Sequence, residues 1–204
     1  MSITCVDFIR HGEPAGGDIF RGLTDHPLTA KGQWQFQERI KRCGKAWDLI
    51  VTSPLLRCSD SAYNLAQQLH IPVQTEPRFR EIDFGEWETL TFAEVLQDPK
   101  YDVQTLWQDP LNFCAPQGES SLALQERSLL AWHDLLAEHQ GKRILVVTHG
   151  GVMRLLAHHL VGLSAQGINR LAVPHAALMS FRVHHDPEPW VLLESMDGSD
   201  LIDI

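Results

Sequence analysis

The chain has 204 residues, with 17 Lys and Arg against 26 Asp and Glu, a formal charge of −9, and 44% hydrophobic and 21% charged residues. This is enough apolar content for one domain over residues 1–204 with a sizeable core. A domain this acidic repels polyanions, which argues against nucleic acid or an anionic membrane surface as partner, but not against a small anion in a local basic pocket. The four cysteines (Cys5, Cys43, Cys58, Cys114) show no paired spacing and read as reduced thiols. No leader-like segment or membrane-length apolar run is seen, so a cytoplasmic protein is expected.

In chain order, "ITCVDFI" (3–9) has the length and β-branched content of a strand buried on both faces. Thr29 is placed to cap a helix over "AKGQWQFQERIKRC". "DLIVTS" (48–53) reads as a second strand. A helix follows it, with Pro54 in the first turn and Leu55, Ala62, Leu65, Ala66 and Leu69 as its apolar stripe. Residues 98–118 are weakly periodic and carry Tyr101, Trp107 and Phe113, as in an insertion or lid whose aromatics could line a substrate entrance. Glu119 to His139 is helical, with Leu122, Leu129, Trp132 and Leu136 on one face. "RILVVTH" (143–149) is a third buried strand, and the helix "GVMRLLAHHLVGL" follows it. "ALMSFRVH" (177–184) and "WVLLES" (190–195), joined by "HDPEP", form a hairpin. The alternation predicts an α/β fold: a three-layer α/β/α sandwich with a mostly parallel sheet and an antiparallel edge.

In such sheets ligands bind beyond the carboxyl ends of the strands. The three best strands end at Arg10-His11, at Ser53 with Arg57 one helical turn on, and at His149-Gly150-Gly151. Each piece alone has an ordinary structural reading. Together they bring two arginines, two histidines and a helix N-terminus to one place, which suits a phosphoryl group. The 11 histidines do not supply metal-ligand spacing, and flanking arginines would repel a cation, so no metal is expected. A histidine whose one ring nitrogen donates to a nearby carbonyl can attack phosphorus through the other. A departing alkoxide then needs an acid. Glu13 is one candidate. Glu81 is the other, in "RFREIDFGEWE", where desolvation and crowding among Asp83, Glu86 and Glu88 would favour a protonated carboxyl.

"RHGE" (10–13), "FRGLTDHPLTAKG" (20–32), "SPLLRCSDSA" (53–62), "REIDFGEWE" (80–88), "QGES" (117–120) and "VTHGGVMR" (147–154), in this order, resemble the histidine phosphatase superfamily, or phosphoglycerate mutase-like family. The resemblance implies the phosphoglycerate mutase-like fold and His11 as a nucleophile that becomes phosphohistidine. It also implies Arg10, Arg57 and His149 as phosphate-holding residues and Glu81 as proton donor. Gly12 and Gly150 would form the phosphate-binding turns, and Arg21 and Gly22 a substrate-contacting loop. It implies no metal and no cofactor, and a small phosphorylated metabolite as partner. "RHGEP", "GLTDHPLTAKG" and "REIDFGEWE" are most similar to the alpha-ribazole phosphatase branch, which would place the chain in cobalamin nucleotide-loop assembly. Two departures are visible. Pro14-Ala15-Gly16-Gly17 stands where many members have an asparagine, and Thr89 stands after Trp87-Glu88 where a glycine is common. The shortness of the chain argues against a mutase. The alternatives are a phosphatase of another small metabolite or of a phosphoprotein, and an inactive phospholigand-binding module. Oligomeric state, monomer or homodimer, is left open.

Overall fold

The computed structural model describes residues 2–186 and 190–199. Its sheet has six strands, β1 (Ile3–Arg10), β2 (Leu49–Thr52), β3 (Val73–Thr75), β4 (Arg143–Thr148), β5 (Leu178–His184) and β6 (Trp190–Asp197), in the order β3-β2-β4-β1-β5-β6. β1, β4, β2 and β3 run parallel, while β5 is antiparallel to β1 and β6 to β5. The expected antiparallel edge is thus the β5–β6 hairpin. The middle of its connecting "HDPEP" turn lies outside the described residues.

Side chains alternate across the central strands, and both faces are covered. Val6, Phe8, Leu49, Val51, Ile144 and Val146 face one core, which holds residues of α5 (Ser121–Glu138) and α6 (Gly150–Val161). Ile9, Ile50, Leu145 and Val147 face a second, smaller core with α1 (Ala30–Cys43) and α2 (Leu56–Leu69). Burial on both sides is why these strands read as unbroken apolar runs rather than as alternating ones. The expected three layers follow directly.

Local signals act as expected at α1, where the Thr29 hydroxyl accepts from Gly32 N at 2.9 Å and Gly44 closes the helix in the left-handed region. Three expectations need correction. Pro54 lies outside α2, which begins at Leu56 after Leu55 as N-cap, and Leu69 is exposed; Arg57, Cys58 and Ser59 are buried on that helix instead. The buried face of α5 is Ser121, Leu124, Ser128, Ala131, Trp132 and Leu135, with Leu122 exposed, because small and polar residues allow the close approach that an apolar count overlooks. β3 and two short helices, α3 (Phe92–Gln97) and α4 (Gln104–Gln108), are additions. The 98–118 segment contains α4, and Val103, Phe113 and Ala115 anchor it in the larger core. No helix among the described residues is long and apolar enough to cross a membrane.

Candidate active site

β2, β4 and β1 are neighbours in the sheet, so their carboxyl ends adjoin. Ser53 N donates to Val147 O at 3.0 Å, and His11 N donates to Thr148 O at 3.0 Å. This adjacency brings His11, Ser53 and His149 together across 138 positions of sequence.

His11 is buried, and its Nδ1 donates to Gly12 O at 2.7 Å. That bond fixes the proton on Nδ1 and leaves the Nε2 lone pair free. Burial, reinforced by the cations of Arg10 and Arg57, holds the ring's pKa well below the usual histidine value, so it is neutral at neutral pH. Gly12 is required by packing: a Cβ there would lie 1.9 Å from Gly32 O, so this residue lets α1 close on the turn that follows His11.

Arg10 and Arg57 are held by carbonyls. Arg10 Nη1 donates to Val173 O at 2.7 Å. Arg57 donates to Thr24 O at 3.0 Å, Arg21 O at 3.3 Å and Gly22 O at 2.7 Å. The Nε atoms of both are buried without an acceptor among the described residues, and both guanidinium charges act on His11. Burial lowers Arg10 to about 10; facing Glu81 opposes the shift, while Arg154 and Arg57 add to it, and Arg10 stays charged at neutral pH. The carbonyls that hold Arg57 are themselves fixed by Glu88, whose carboxylate accepts from Gly22 N, Leu23 N, Thr24 N and Phe84 N at 2.8 to 3.1 Å, and from the Thr24 hydroxyl at 2.5 Å.

Glu81 accepts from Ile82 N at 3.1 Å and from Gly151 N at 3.2 Å. The expected crowding by carboxylates is absent: the charges that face Glu81 are Arg10 and Arg154. Its acidic neighbours in sequence are engaged elsewhere, Asp83 with Gly85 N, Glu86 with Gln117 and Lys100, and Glu88 with the 22–24 loop. Glu13 is ion-paired with Lys31 at 2.8 Å and bonded by the Thr29 hydroxyl. The Lys31 bond above all lowers its pKa, so it stays ionised and is unsuited to donate a proton.

His149 packs against His11, ring centroids 5.2 Å apart, with its Nε2 2.7 Å from Ser53 Oγ. It is fully buried and does not line the cavity that opens in front of His11. Gly12 and Gly22 are likewise off that wall, whereas Arg10, His11, Arg57, Glu81, Arg21 and Gly150 are on it. A Cβ at Gly22 would meet Ile82 O at 1.9 Å, so this glycine serves close packing rather than contact from a side chain. Arg21 is braced by Ala15 O, Gly17 O and His26 Nδ1 at 2.8 to 3.1 Å.

The cavity measures about 700 Å³ and, beside its polar and charged residues, has an apolar wall that includes Phe20, Ile82, Phe84, Leu106, Phe113 and Ile168. Of the three aromatics expected at the entrance, only Phe113 lines it. Trp107 is exposed outside, packed edge-on to Phe92, and Tyr101 packs on Trp87. Among the described residues no three His, Cys, Asp or Glu cluster as metal ligands.

Four residues escape the sequence reading as site components. Gly151 N holds Glu81, and a Cβ at Gly151 would lie 2.4 Å from Glu81 Oε1. Ser53 orients His149, and its place at a strand end was the available signal. Arg154, one turn into α6, faces Glu81. His175 lines the cavity with its ring 5.7 Å from that of His11, and nothing in its loop sequence marks it.

Residues 6–196 match the model of the histidine phosphatase superfamily (branch 1). The "Probable phosphoglycerate mutase GpmB" of Proteus mirabilis is 32% identical over 98% of this chain and 95% of its own length. The adenosylcobalamin/alpha-ribazole phosphatase of Escherichia coli is 30% identical over 78% of this chain and 80% of its own. The solved structure of Bacillus stearothermophilus YhfR superimposes with a TM-score of 0.84 at 27% identity, over 94% of this chain and 96% of that one. The first relative corrects the expectation from length: a protein of that name has nearly the same extent, so shortness does not argue against a mutase. A match over nearly the whole chain and its agreement with the six-stranded fold lead to one assignment: the chain belongs to branch 1 of the histidine phosphatase superfamily.

Proposed function

We propose that the protein is a phosphomonoesterase that works through phosphohistidine at His11 and needs no metal. The observation that carries this is His11 itself. Its ring is neutral, Nδ1 is committed to Gly12 O, and it lies beside two arginines whose buried Nε atoms lack acceptors. In the first step His11 Nε2 attacks phosphorus, the P–O ester bond breaks, and Glu81 gives its proton to the departing alkoxide. In the second, Glu81 takes a proton from water, the resulting hydroxide attacks phosphorus, and the N–P bond breaks to release phosphate. Arg10 and Arg57 stabilise the charge on the transferring oxygens, and His149, tied to Ser53, supports the nucleophile from behind.

For the substrate, we favour an ester whose alcohol part is bulky and largely apolar. A cavity of about 700 Å³ is far roomier than a phosphate with a three-carbon acid requires, and Phe20, Ile82, Phe84, Leu106, Phe113 and Ile168 give it an apolar wall. Alpha-ribazole 5′-phosphate, with a flat base on a ribose, fits that description, and the Escherichia coli relative carries its name. The test is to trap the enzyme with a labelled substrate and to compare turnover of alpha-ribazole 5′-phosphate, sugar phosphates and 3-phosphoglycerate. An acid-labile, base-stable phosphoenzyme is expected, lost in His11→Ala, with alpha-ribazole 5′-phosphate turned over fastest. Full activity in His11→Ala would refute the mechanism. Equal rates across the panel would refute the substrate, and phosphoryl transfer between phosphoglycerates would establish a mutase.

A further inference from the structure

We propose that His175 directly contacts the phosphoryl group, donating a hydrogen bond to one of its oxygens on the side of the site facing Arg21. This rests on the reading of His11 as a phosphoryl acceptor and adds a residue to it. The ring of His175 lines the cavity, 5.7 Å from His11 and tilted 40° to it, and makes no hydrogen bond among the described residues.

Its backbone is held on both sides. Val173 O accepts from Arg10, Ala176 N donates to His11 O at 3.1 Å, and Ala176 O accepts from buried Arg39 Nε at 2.8 Å. Ala176 occupies the left-handed region at φ 58°, a conformation that a non-glycine residue keeps only when its surroundings impose it. The loop therefore presents His175 to the cavity from a fixed position.

The groups around it locate it relative to the rest of the site. His175 faces Arg10, Glu13, Arg21 and Lys31, as well as the His11 ring. Glu81 faces Arg10 and Arg154. Arg10 faces both. Pro14, Gly16 and Gly17, which also line the cavity, offer no side-chain donor. Burial, with Arg10 adding to it, lowers His175 to about 4, so at neutral pH its ring is uncharged and carries one N–H to donate. A phosphoryl group in front of His11 has three oxygens to satisfy. Arg10 and Arg57 serve it from the strand ends, and His175 completes the set without adding a charge.

The experiment measures inorganic phosphate binding by calorimetry on the full chain, independently of turnover, together with kcat and KM for p-nitrophenyl phosphate. His175→Ala is expected to weaken phosphate binding about tenfold or more and to raise KM in parallel, as for loss of one hydrogen bond to a charged group. The phosphoenzyme still forms, because His11 and Glu81 are intact. His175→Asn and His175→Gln place an amide donor near the Nδ1 and Nε2 positions, and one of them should recover most of the affinity. Phosphate affinity and KM within twofold of wild type in His175→Ala would overturn the proposal. So would equal losses in all three variants, which a merely structural role predicts. If the wild type binds phosphate but forms no phosphoenzyme, the mechanism at His11 fails, whereas a loss of phosphate binding in His175→Ala still supports the contact.

Discussion

Replacing Gly151 with alanine tests whether Glu81 acts from where it is held. The added Cβ would lie 2.4 Å from Glu81 Oε1 and 3.3 Å from its Cδ, against an ordinary contact of 3.4 Å or more. The carboxylate must retreat by about 1 Å, and a misplacement of that size costs on the order of 100-fold in rate. Nothing else opposes the change. The other side-chain contact, Leu124 Cδ2, is at 3.4 Å, and alanine in the first turn of α6 is favoured over glycine by up to about 1 kcal/mol. Thermal stability should therefore hold or rise while activity falls. The assay compares an alkyl phosphate, whose alkoxide needs a proton to leave, with p-nitrophenyl phosphate, whose phenolate does not. For the alkyl ester kcat/KM should drop about 100-fold. The pre-steady-state burst of nitrophenolate should change little. If kcat/KM for the alkyl ester stays within about threefold in a folded variant, Glu81 is not the proton donor.

Two further outcomes concern stability. Thr89 is exposed and sits at φ 70°, a conformation costly for a β-branched residue, while its N–H donates to Phe20 O at 3.0 Å. Thr89→Gly should stabilise the protein by about 1 kcal/mol, since the glycine keeps that bond and relieves the strain; a melting temperature that falls would contradict this. His11 and His149 are held neutral well below the ordinary histidine pKa, by burial first and nearby cations second. Their stabilising contribution is complete above about pH 6.5, where unfolded histidines are also neutral. It is lost as pH falls below that value, because the unfolded chain takes up a proton at each of these rings, and at His175, whose folded pKa is about 4, that the folded chain refuses. Linkage gives a slope of about 4 kcal/mol per pH unit between pH 6 and 5, readable from urea melts. A flat profile there would mean that the rings are protonated in the folded protein.

The three central strands were legible because each is buried on both faces and so appears as an apolar run. Their adjacency then makes the strand-end motifs a site. Glu81, the proposed proton donor, was singled out by family resemblance alone: Glu13 is nearer to His11 in sequence, and its ion pair with Lys31 is visible only in the fold. What stayed hidden was set by tertiary packing. The buried face of α5 depends on how closely Ser121, Ser128 and Ala131 let it approach α6 and the turn at residues 77–79. The second glycine of "THGG" looks redundant until Glu81 occupies the gap beside it. His175 lies in a loop with no periodicity, and its proximity to His11 arises from a contact 165 residues away in sequence. Trp107 misled because an aromatic in a weakly periodic stretch can face either way; here Phe113 turns inward.

The central position of β1 has a consequence for biosynthesis. This strand precedes the rest of the sheet in the chain, yet its two sheet neighbours are β4 and β5, residues 143–148 and 178–184. Until those emerge from the ribosome, both edges of β1 are open, and Val6, Phe8 and Ile9, which are fully buried in the finished protein, lack part of their cover. The nascent chain must carry a sticky, unpaired strand through most of its synthesis, a state prone to aggregation. Arg10 waits for Val173 and His11 for Ala176. His11 is therefore translated long before it can be set in place, since no chain that stops short of Ala176 can hold it as the folded protein does.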